Sequence, residues 1–472
     1  MKNFKKGMLF TSIGTYSNFL VQLIVNMILS RILTPKDYGV VAIMQVFIVF
    51  FNLMIESGMG PAIIQNKNLI KTDYKNLFSF SAIFSIILAI SFGFFGNILA
   101  LIYNNDVYKI LTWIEAISIL FNGLNIVPTA ILNKRMQFKA VNFSLVFSNI
   151  FSAIIGITTA FLGFGVYALI YSAITSSLIN FLLNRFFTQL TFSKKIKKDS
   201  IIEIWNFSKN QFGFNFINYF SRNSDNILIG KFMGATPLAN YNKAYQLLML
   251  PNQLFLGVIN PVLQPVLSDY QDDVEYIKNF YYKVVHLLGL IGIPLSIFLS
   301  MSSKQIILFM FGNQWGEAVL PFSILALTVW CQLTVSTTGA IFQARNQANV
   351  LFFTGFISAL ILVTSIIIGI ISKTIFGVAI SLSIGFFIAF FWNFSQLIIG
   401  SLHSSFLEFL SIFRSAVVLG GLTFIALYLE SFFDPNNYFI SLAIRSIIFL
   451  SVMICYIILT DEKNQIKILL KK

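Results

Sequence analysis

The sequence predicts an all-α polytopic membrane protein, and composition, apolar segment length and an internal repeat are the three observations behind that prediction. Of the 472 residues, 57% are hydrophobic and only 11% are charged, and the mean hydropathy is +0.81. Soluble domains carry nearer a quarter charged residues, so this chain lacks the polar surface that a soluble globule needs. About fourteen apolar segments are long enough to cross a bilayer as helices, and the first twelve form two similar sets of six.

The predicted spans follow one another with short loops between them. A spanning helix needs roughly 17–25 mostly apolar residues. The first apolar run is longer than a signal-peptide core and no small-residue cleavage site follows it, so we expect a retained first span. The spans are predicted near residues 8–33, 38–62, 77–103, 109–132, 140–162, 164–187, 210–232, 240–267, 280–301, 317–342, 350–371, 374–399, 408–429 and 438–459.

The distribution of Lys and Arg predicts that both termini lie in the cytoplasm. An even number of spans puts the termini on one side, and most of the 32 basic residues fall on that side, as cytoplasmic loops require. The net charge of +14 then follows from topology and attraction to anionic lipid, so no nucleic-acid partner is expected. The basic residues expected on the outer side are Arg31, Lys36, Lys109, Lys231, Lys243, Lys304, Lys373 and Arg445.

A repeat with an offset of about 200 residues relates the first six spans to the next six. Both sets enter from the cytoplasm, so the repeat is parallel, about an axis along the membrane normal. The predicted domains are a six-helix lobe at 1–190, a cytoplasmic linker with an amphipathic segment at 191–209, a second six-helix lobe at 210–400, and two additional helices with a basic tail at 401–472. The matched pairs include Asn18 with Asn218, Asn26 with Asn226, Arg31 with Lys231, and Thr34-Pro35 with Thr236-Pro237.

Two polar stripes within the predicted spans are the candidate site. Their members recur at three- or four-residue spacing, which places them on one helix face. Amide and charged side chains are costly in lipid, so we expect these faces to line a bundle interior or a water-filled cavity. Hydrogen bonding between helices is the structural alternative for the amides. The stripe residues are Asn18, Gln22 and Asn26 in the first span and Asn215, Asn218, Arg222 and Asp225 in the seventh.

Charged residues in or beside the spans add to this candidate site. Arg222 and Asp225 lie three residues apart and can pair, and a charge at mid-bilayer costs roughly 2.5–3.5 kcal/mol, which favours a binding role over a purely structural one. Glu56 lies late in the second span, either as a cavity-facing acid or as a structural ion. Arg31 and Lys231 end their helices at the outer interface, either as snorkelling cations or as part of an outer vestibule.

The sequence indicates no metal site, cofactor or catalytic residue. Cys331 and Cys455 lie inside apolar segments, so neither a disulfide framework nor a cysteine metal site is expected. His286 and His403 stand apart from one another among few acids, which does not suggest metal ligation.

Three motifs resemble the polysaccharide-transport family. They are "LTPKDYGVVA" after the first span, "GMGPAIIQ" at the end of the second and "YNKAYQLLMLP" at the start of the eighth. In their order and span number they are similar to Wzx-type lipid-linked oligosaccharide flippases, within the multidrug/oligosaccharidyl-lipid/polysaccharide exporter superfamily. The resemblance implies two lobes around a central cavity. It also implies flipping of an undecaprenyl-diphosphate-linked oligosaccharide from the cytoplasmic to the outer leaflet of a bacterial cytoplasmic membrane.

The polar stripes and Arg222 are consistent with the substrate that the resemblance implies. The amide stripes suit a glycan headgroup, and Arg222 is placed where an arginine could grip the diphosphate with two hydrogen bonds. The flipped glycan would serve synthesis of an exopolysaccharide, O-antigen or teichuronic-type polymer, with a polymerase and glycosyltransferases as implied partners.

Three alternatives stay open. An ion-coupled multidrug or cation antiporter would want a carboxylate in the first lobe; the first span has none, and Asp225 is the acid that keeps this alternative open. A lipid II flippase would need a more cationic cavity. A polysaccharide polymerase or ligase would be an enzyme with catalytic groups on a sizeable outer loop, and every predicted outer loop is short, so we expect a protein that is not an enzyme.

Overall fold

The computed structural model describes residues 2–56, 59–193, 219, 223–433, 435, 437–460 and 462. Helices joined by short turns make up this part of the chain, which contains no β-strand, so the all-α prediction is confirmed. Residues 194–209 of the predicted linker lie outside the described residues.

Among the described residues, ten helices are long and apolar enough to cross a membrane, or eleven if one pair bent by 51° counts as a single span, which confirms a polytopic membrane protein. That bent pair, Asn313–Ala326 with Val329–Ala344, corresponds to the span predicted at 317–342. The first and eighth predicted spans fall on helices that do not meet these criteria over the residues described, and about half of the seventh predicted span lies outside the described residues. Fourteen spans therefore stay a prediction.

The first compact unit comprises Met1–Ala239. Its helices are α1 (Lys2–Ile32), α2 (Pro35–Glu56), α3 (Met59–Gln65), α4 (Lys71–Tyr103), α5 (Val107–Lys134), α6 (Phe138–Phe161), α7 (Val166–Thr188) and α8 (Ser224–Met233). Helix α4 packs along α5, α5 contacts α7, α6 packs along α7, and α1 packs along α6. The turn between α4 and α5 places Asn104 in the left-handed region (φ 50°), which asparagine tolerates better than most residues. This packing brings α1, α6 and α7 together.

The second compact unit comprises Asn240–Lys472. Its helices are α9 (Ala235–Ser268, which begins in the first unit), α10 (Val274–Met301), α11 (Ser303–Phe311), α12 (Val319–Ala326), α13 (Val329–Val335), α14 (Thr338–Ala344), α15 (Ala348–Ile371), α16 (Ile375–Ser395), α17 (Phe406–Ser411), α18 (Arg414–Glu430) and α19 (Tyr438–Leu459). Helix α10 packs against α12, α13 and α18, α15 packs along α16, and α18 contacts α19. An aromatic core forms here, in which the rings of Phe394 and Phe409 stack at 4.4 Å between centroids.

One helix-to-helix turn recurs in the two units. Between α5 and α6, three successive N–H groups donate to carbonyls four, three and five residues earlier, and Met136 is left-handed (φ 55°). Between α14 and α15 the same three bonds form, and Asn346 takes the same conformation (φ 56°). An internal repeat predicts such a match.

A basic side chain beside each of these turns donates to a backbone carbonyl at or just beyond the end of another helix in its own unit. Lys134 Nζ donates to the carbonyl oxygen of Ile63 at 2.9 Å, near the end of α3. Arg345 Nη1 donates to the carbonyl oxygen of Gln271 at 2.6 Å, just after α9. Cations suit helix C-termini, whose last carbonyls lack partners within the helix. Both residues were expected among the cytoplasmic cations.

An intramembrane ion pair anchors the last two helices of the second unit. Arg445 Nε of α19 lies 2.8 Å from Glu430 Oε2 at the end of α18, and both side chains are 5% exposed. Arg445 Nη1 also donates to the carbonyl oxygen of Met301 at 2.6 Å and to Gln305 Oε1 at 3.3 Å. Arg445 is thus a buried member of α19 and not an outer-surface cation, because carboxylate, amide and carbonyl oxygens together replace its water.

Candidate functional site

The polar stripe of α1 faces other polar groups. Asn18 Oδ1 accepts a hydrogen bond from Asn149 Nδ2 of α6. Asn26 Oδ1 accepts one from Ser30 Oγ at 3.0 Å and a long one, at 3.5 Å, from the Tyr38 hydroxyl of α2. Two of the three amides therefore also join helices, as in the structural alternative.

Helices α6 and α7 supply the opposite polar wall. Ser152 Oγ and Ser172 Oγ lie 2.7 Å apart, and each hydroxyl also donates to the other residue's carbonyl oxygen. Ser176 Oγ donates to Asn149 Oδ1 at 3.0 Å, so Asn149 links α7 to the Asn18 side chain of α1. Hydrogen bonds between helices therefore hold this wall together.

A cavity of about 320 Å³ lies between these walls. Gln22, the middle residue of the stripe, lines it with an exposed side chain. All the described side chains that line this cavity are neutral, so they offer amide and hydroxyl hydrogen bonds and no ionised group. They are Val21, Gln22, Val25, Asn26, Leu29, Tyr38, Asn149, Ser152, Ala153, Leu169 and Ser172.

The stripe predicted in the seventh span is described only in part. Asn215, Asn218 and Arg222 lie outside the described residues, so the pairing of Arg222 with Asp225 stays a prediction. Asp225 lies in the first turn of α8 and is buried, and its Oδ1 accepts hydrogen bonds from the backbone N–H of Asn226 at 2.7 Å and its Nδ2 at 3.3 Å. A carboxylate in the first turn is also stabilised by the helix dipole.

The remaining predicted site residues lie at helix ends. Glu56 is the last residue of α2 and is exposed, and Arg31 is exposed in the last turn of α1. Lys231 Nζ donates to the carbonyl oxygen of Ile102 at 2.5 Å, in the last turn of α4. Lys231 therefore caps a helix end in this structure, and none of the three lines the neutral cavity.

Lys243 was counted with the basic residues of the outer side, but it is not an exposed surface cation. Its side chain is buried, with Nζ 4.6 Å from the ring centroid of Phe311 and 5.0 Å from that of Trp315. Such contacts stabilise a desolvated ammonium group. Nearby in the chain, Asn240 Nδ2 donates to Glu317 Oε2 at 3.2 Å. The local sequence gives no sign of this burial, because both rings come from residues about seventy positions away.

The sequence analysis also missed the part of the cavity formed by α6 and α7. Asn149 with Ser152, and Ser172 with Ser176, recur at three- and four-residue spacing, so each pair occupies one helix face. That spacing could have identified them. Serine is common in membrane helices as a donor to its own backbone, which made the signal weaker than that of the amides.

Comparison with known proteins identifies relatives over most of the chain. The family described as "Polysaccharide biosynthesis protein" matches residues 28–320. The teichuronic acid biosynthesis protein TuaB of Bacillus subtilis is 22% identical, over 75% of this chain and 73% of its own length. The lipopolysaccharide biosynthesis protein WzxC of Escherichia coli is 20% identical, over 72% of this chain and 70% of its own.

Two solved structures share the fold. The lipid II flippase MurJ in an inward closed conformation matches with a TM-score of 0.74 and 17% identity, covering 97% of this chain and 99% of that chain. An inward-facing multidrug resistance MATE family transporter of the MOP superfamily matches with a TM-score of 0.58 and 16% identity, covering 82% and 95%. The fold is therefore that of these exporters, and the family match over more than half of the sequence shows that the chain belongs to the polysaccharide biosynthesis protein family.

Proposed function

We propose that this protein is a flippase that moves an undecaprenyl-diphosphate-linked oligosaccharide from the cytoplasmic to the outer leaflet by alternating access. The product serves synthesis of an exopolysaccharide, O-antigen or teichuronic-type polymer in a bacterial cytoplasmic membrane. The observation that carries the proposal is the neutral cavity between α1, α6 and α7, in a chain of the polysaccharide biosynthesis protein family.

The chemistry of that cavity suits a glycan. Sugars present hydroxyl groups that both donate and accept, and amide and hydroxyl side chains match both roles. A volume of about 320 Å³ is at the lower end of the range for small-molecule sites, so it admits part of an oligosaccharide at a time. Gln22 is the side chain best placed to contact it, because it is exposed at the cavity wall.

We assign the lipid diphosphate to Arg222, with Asp225 holding the guanidinium in position. The buried Asp225 and its bonds to Asn226 support a fixed carboxylate at this point of the chain. An arginine can grip a phosphate with two parallel hydrogen bonds, and the substrate diphosphate would compete with Asp225 for it. Asn215, Asn218, Glu56, Arg31 and Lys231 remain proposed as further contacts of the substrate pathway.

The prenyl chain needs an apolar path, and the second unit contains an apolar groove. It has a volume of about 520 Å³ between α9, α10 and α19, and Leu250, Leu295 and Leu450 line it together with other apolar side chains. We propose that part of the polyprenyl chain rests there, because moving apolar surface into such a groove is favourable.

The proposed architecture has fourteen spans, with six-helix lobes at 1–190 and 210–400, two additional helices after residue 400, and both termini in the cytoplasm. The recurring turn before α6 and α15 supports the repeat that underlies this layout. A polymerase and glycosyltransferases acting on the same lipid-linked glycan are the proposed partners.

An ion-coupled antiporter is the second candidate, because the fold is shared with a multidrug transporter. A transporter that binds a cation in its first lobe needs a carboxylate there, and the cavity of the first unit is lined by neutral groups. This observation favours the glycan over a cation as the ligand of that cavity. We propose no catalytic step.

Transport of a labelled lipid in proteoliposomes tests the proposal. A fluorescent undecaprenyl-diphosphate-linked oligosaccharide should become accessible to an external quencher faster with the protein than without it, and should stay chemically intact. Gln22→Leu should slow transport roughly fivefold, since one neutral hydrogen bond contributes about 1 kcal/mol.

Asn393→Leu is the matched control. Asn393 is also an intramembrane amide, but it bonds to Ser358 Oγ at 2.8 Å in the second unit and lines no part of this cavity. Asn393→Leu should lower the melting midpoint and leave the transport rate close to that of wild type. Equal transport loss in both variants would contradict the assignment of the cavity, and a polymerised or hydrolysed glycan would favour an enzyme.

A further inference from the structure

A second cavity, of about 780 Å³, lies in the second unit beside the last two helices. Its walls come from the N-terminal half of α10, the start of α18 and the segment that ends α19. In the proposed topology all three of these helix ends are on the cytoplasmic side. The neutral cavity in the first unit shares none of these residues.

Two cations that line this cavity have no partner among the described residues. Lys283 of α10 and Arg414 at the start of α18 are both exposed, and among the described residues neither forms a hydrogen bond or ion pair. Two such positive charges on facing helices attract an anion to the space between them. Arg414 adds planar donors that match a phosphate.

The carboxylate in the cavity wall is already engaged. Glu462 Oε2 lies 2.7 Å from His286 Nε2, and its Oε1 accepts a hydrogen bond from Ser415 Oγ at 2.6 Å. His286 Nδ1 lies 2.9 Å from the carbonyl oxygen of Ile412, and the Tyr456 hydroxyl lies 3.0 Å from Ser415 Oγ. This network ties the three helix ends together, so Glu462 serves as part of a fixed wall.

The position of the cavity indicates that its anion belongs to a lipid. Val418 lines it one turn further into the span than Arg414 and is 50% exposed. On the same helix Val417 and Leu422 are also exposed, as lipid-facing residues are in a membrane protein. A headgroup bound to Lys283 and Arg414 would therefore keep its chains against this apolar surface. Basic residues at the cytoplasmic surface attract anionic lipids in this way.

We propose that this cavity binds the phosphate of an anionic lipid from the cytoplasmic leaflet, held by Lys283 and Arg414. The phosphate can come from a phospholipid or from the diphosphate of a prenyl lipid, which share this chemistry. Binding needs no transport. A negative result for lipid binding at this cavity therefore does not contradict the proposed flippase function. A negative result for transport likewise does not contradict lipid binding at this cavity.

Lipid binding to purified, delipidated protein in a neutral detergent tests the site. The probes are fluorescent phosphatidylglycerol, undecaprenyl diphosphate and, as a zwitterionic reference, phosphatidylcholine. Lys283→Gln with Arg414→Gln should weaken binding of the anionic probe about 25-fold, because each basic side chain near an anionic headgroup contributes roughly a fivefold factor. Melting should be unchanged, since both side chains are exposed and unbonded.

The control removes the same charge elsewhere. Lys71→Gln with Lys278→Gln should change affinity less than twofold, because neither residue lines the cavity. If the cavity variant loses binding of phosphatidylglycerol but not of undecaprenyl diphosphate, the site is a phospholipid site. If it loses binding of undecaprenyl diphosphate but not of phosphatidylglycerol, the site is a prenyl-lipid site. Equal affinity of the cavity and control variants, or phosphatidylcholine bound as tightly as the anionic probes, would overturn the proposal.

Discussion

Removing Arg445 should destabilise the second unit strongly. In Arg445→Met the Glu430 carboxylate would lose the guanidinium 2.8 Å away, and the carbonyl of Met301 and the amide oxygen of Gln305 would lose their donor. Breaking a buried ion pair by removing one partner costs about 3–5 kcal/mol. Water cannot replace the lost guanidinium as a partner of the Glu430 carboxylate, since both charged side chains are only 5% exposed.

Two further variants separate the charge from the packing. Glu430→Gln should cost less, about 1–2 kcal/mol, because Arg445 keeps both oxygen acceptors in the second unit. Arg445→Met combined with Glu430→Leu should recover most of the loss, since apolar groups of similar volume often replace a buried pair well.

Thermal unfolding of the purified protein measures this series. Unfolding of a large membrane protein is rarely reversible, so midpoints should be compared at one scan rate. We expect the order wild type, double variant, Glu430→Gln, Arg445→Met, from most to least stable. A midpoint for Arg445→Met equal to that of wild type would refute the structural role of the pair.

Three other predictions follow from the site and the topology. Cysteine at Lys71 should be shielded from an impermeant thiol reagent in intact cells, and cysteine at Lys109, which is exposed in the first turn of α5, should react. The opposite pattern would reverse the orientation. Arg222→Ala should abolish glycan export at normal protein level, whereas full export by Arg222→Met with Asp225→Leu would exclude diphosphate binding there. Lys243→Met should lower the melting midpoint less than Lys243→Glu, which places a carboxylate against the Phe311 and Trp315 rings; equal midpoints for the two variants would show that the buried charge has no structural effect.

The sequence predicted the fold well where apolar length decides the structure. The spans predicted at 140–162 and 438–459 agree with α6 and α19 to within about two residues at each end. The span predicted at 317–342 is bent by 51° between Ala326 and Val329, and hydroxyl side chains bond back to the chain there. Thr328 Oγ1 donates to the carbonyl oxygen of Leu325 at 2.7 Å at the point of the bend. Such local competition does not alter hydropathy, so composition cannot reveal it.

The candidate site was predictable only on the helix that carries the strongest polar pattern. Gln22 and Asn26 were identified from their spacing on α1, whereas Asn149 required knowledge that α6 packs against α1. The burial of Lys243 was missed for the same reason, because it depends on contacts with Phe311 and Trp315. Periodicity identifies which face of a helix is polar, but tertiary packing decides what that face meets.

Polar groups within the spans therefore divide by whether protein atoms already satisfy them. Arg445 is enclosed by three partners, and Asn149 bonds on both sides, so their burial is compensated and their first effect is on stability. Gln22 is exposed at a cavity wall, and no described residue bonds to its side chain. A free amide at membrane depth is costly unless water or a ligand meets it. The chain is 57% hydrophobic and still has such an amide at Gln22. A protein that moves hydroxyl-rich headgroups needs an amide of this kind to bind them.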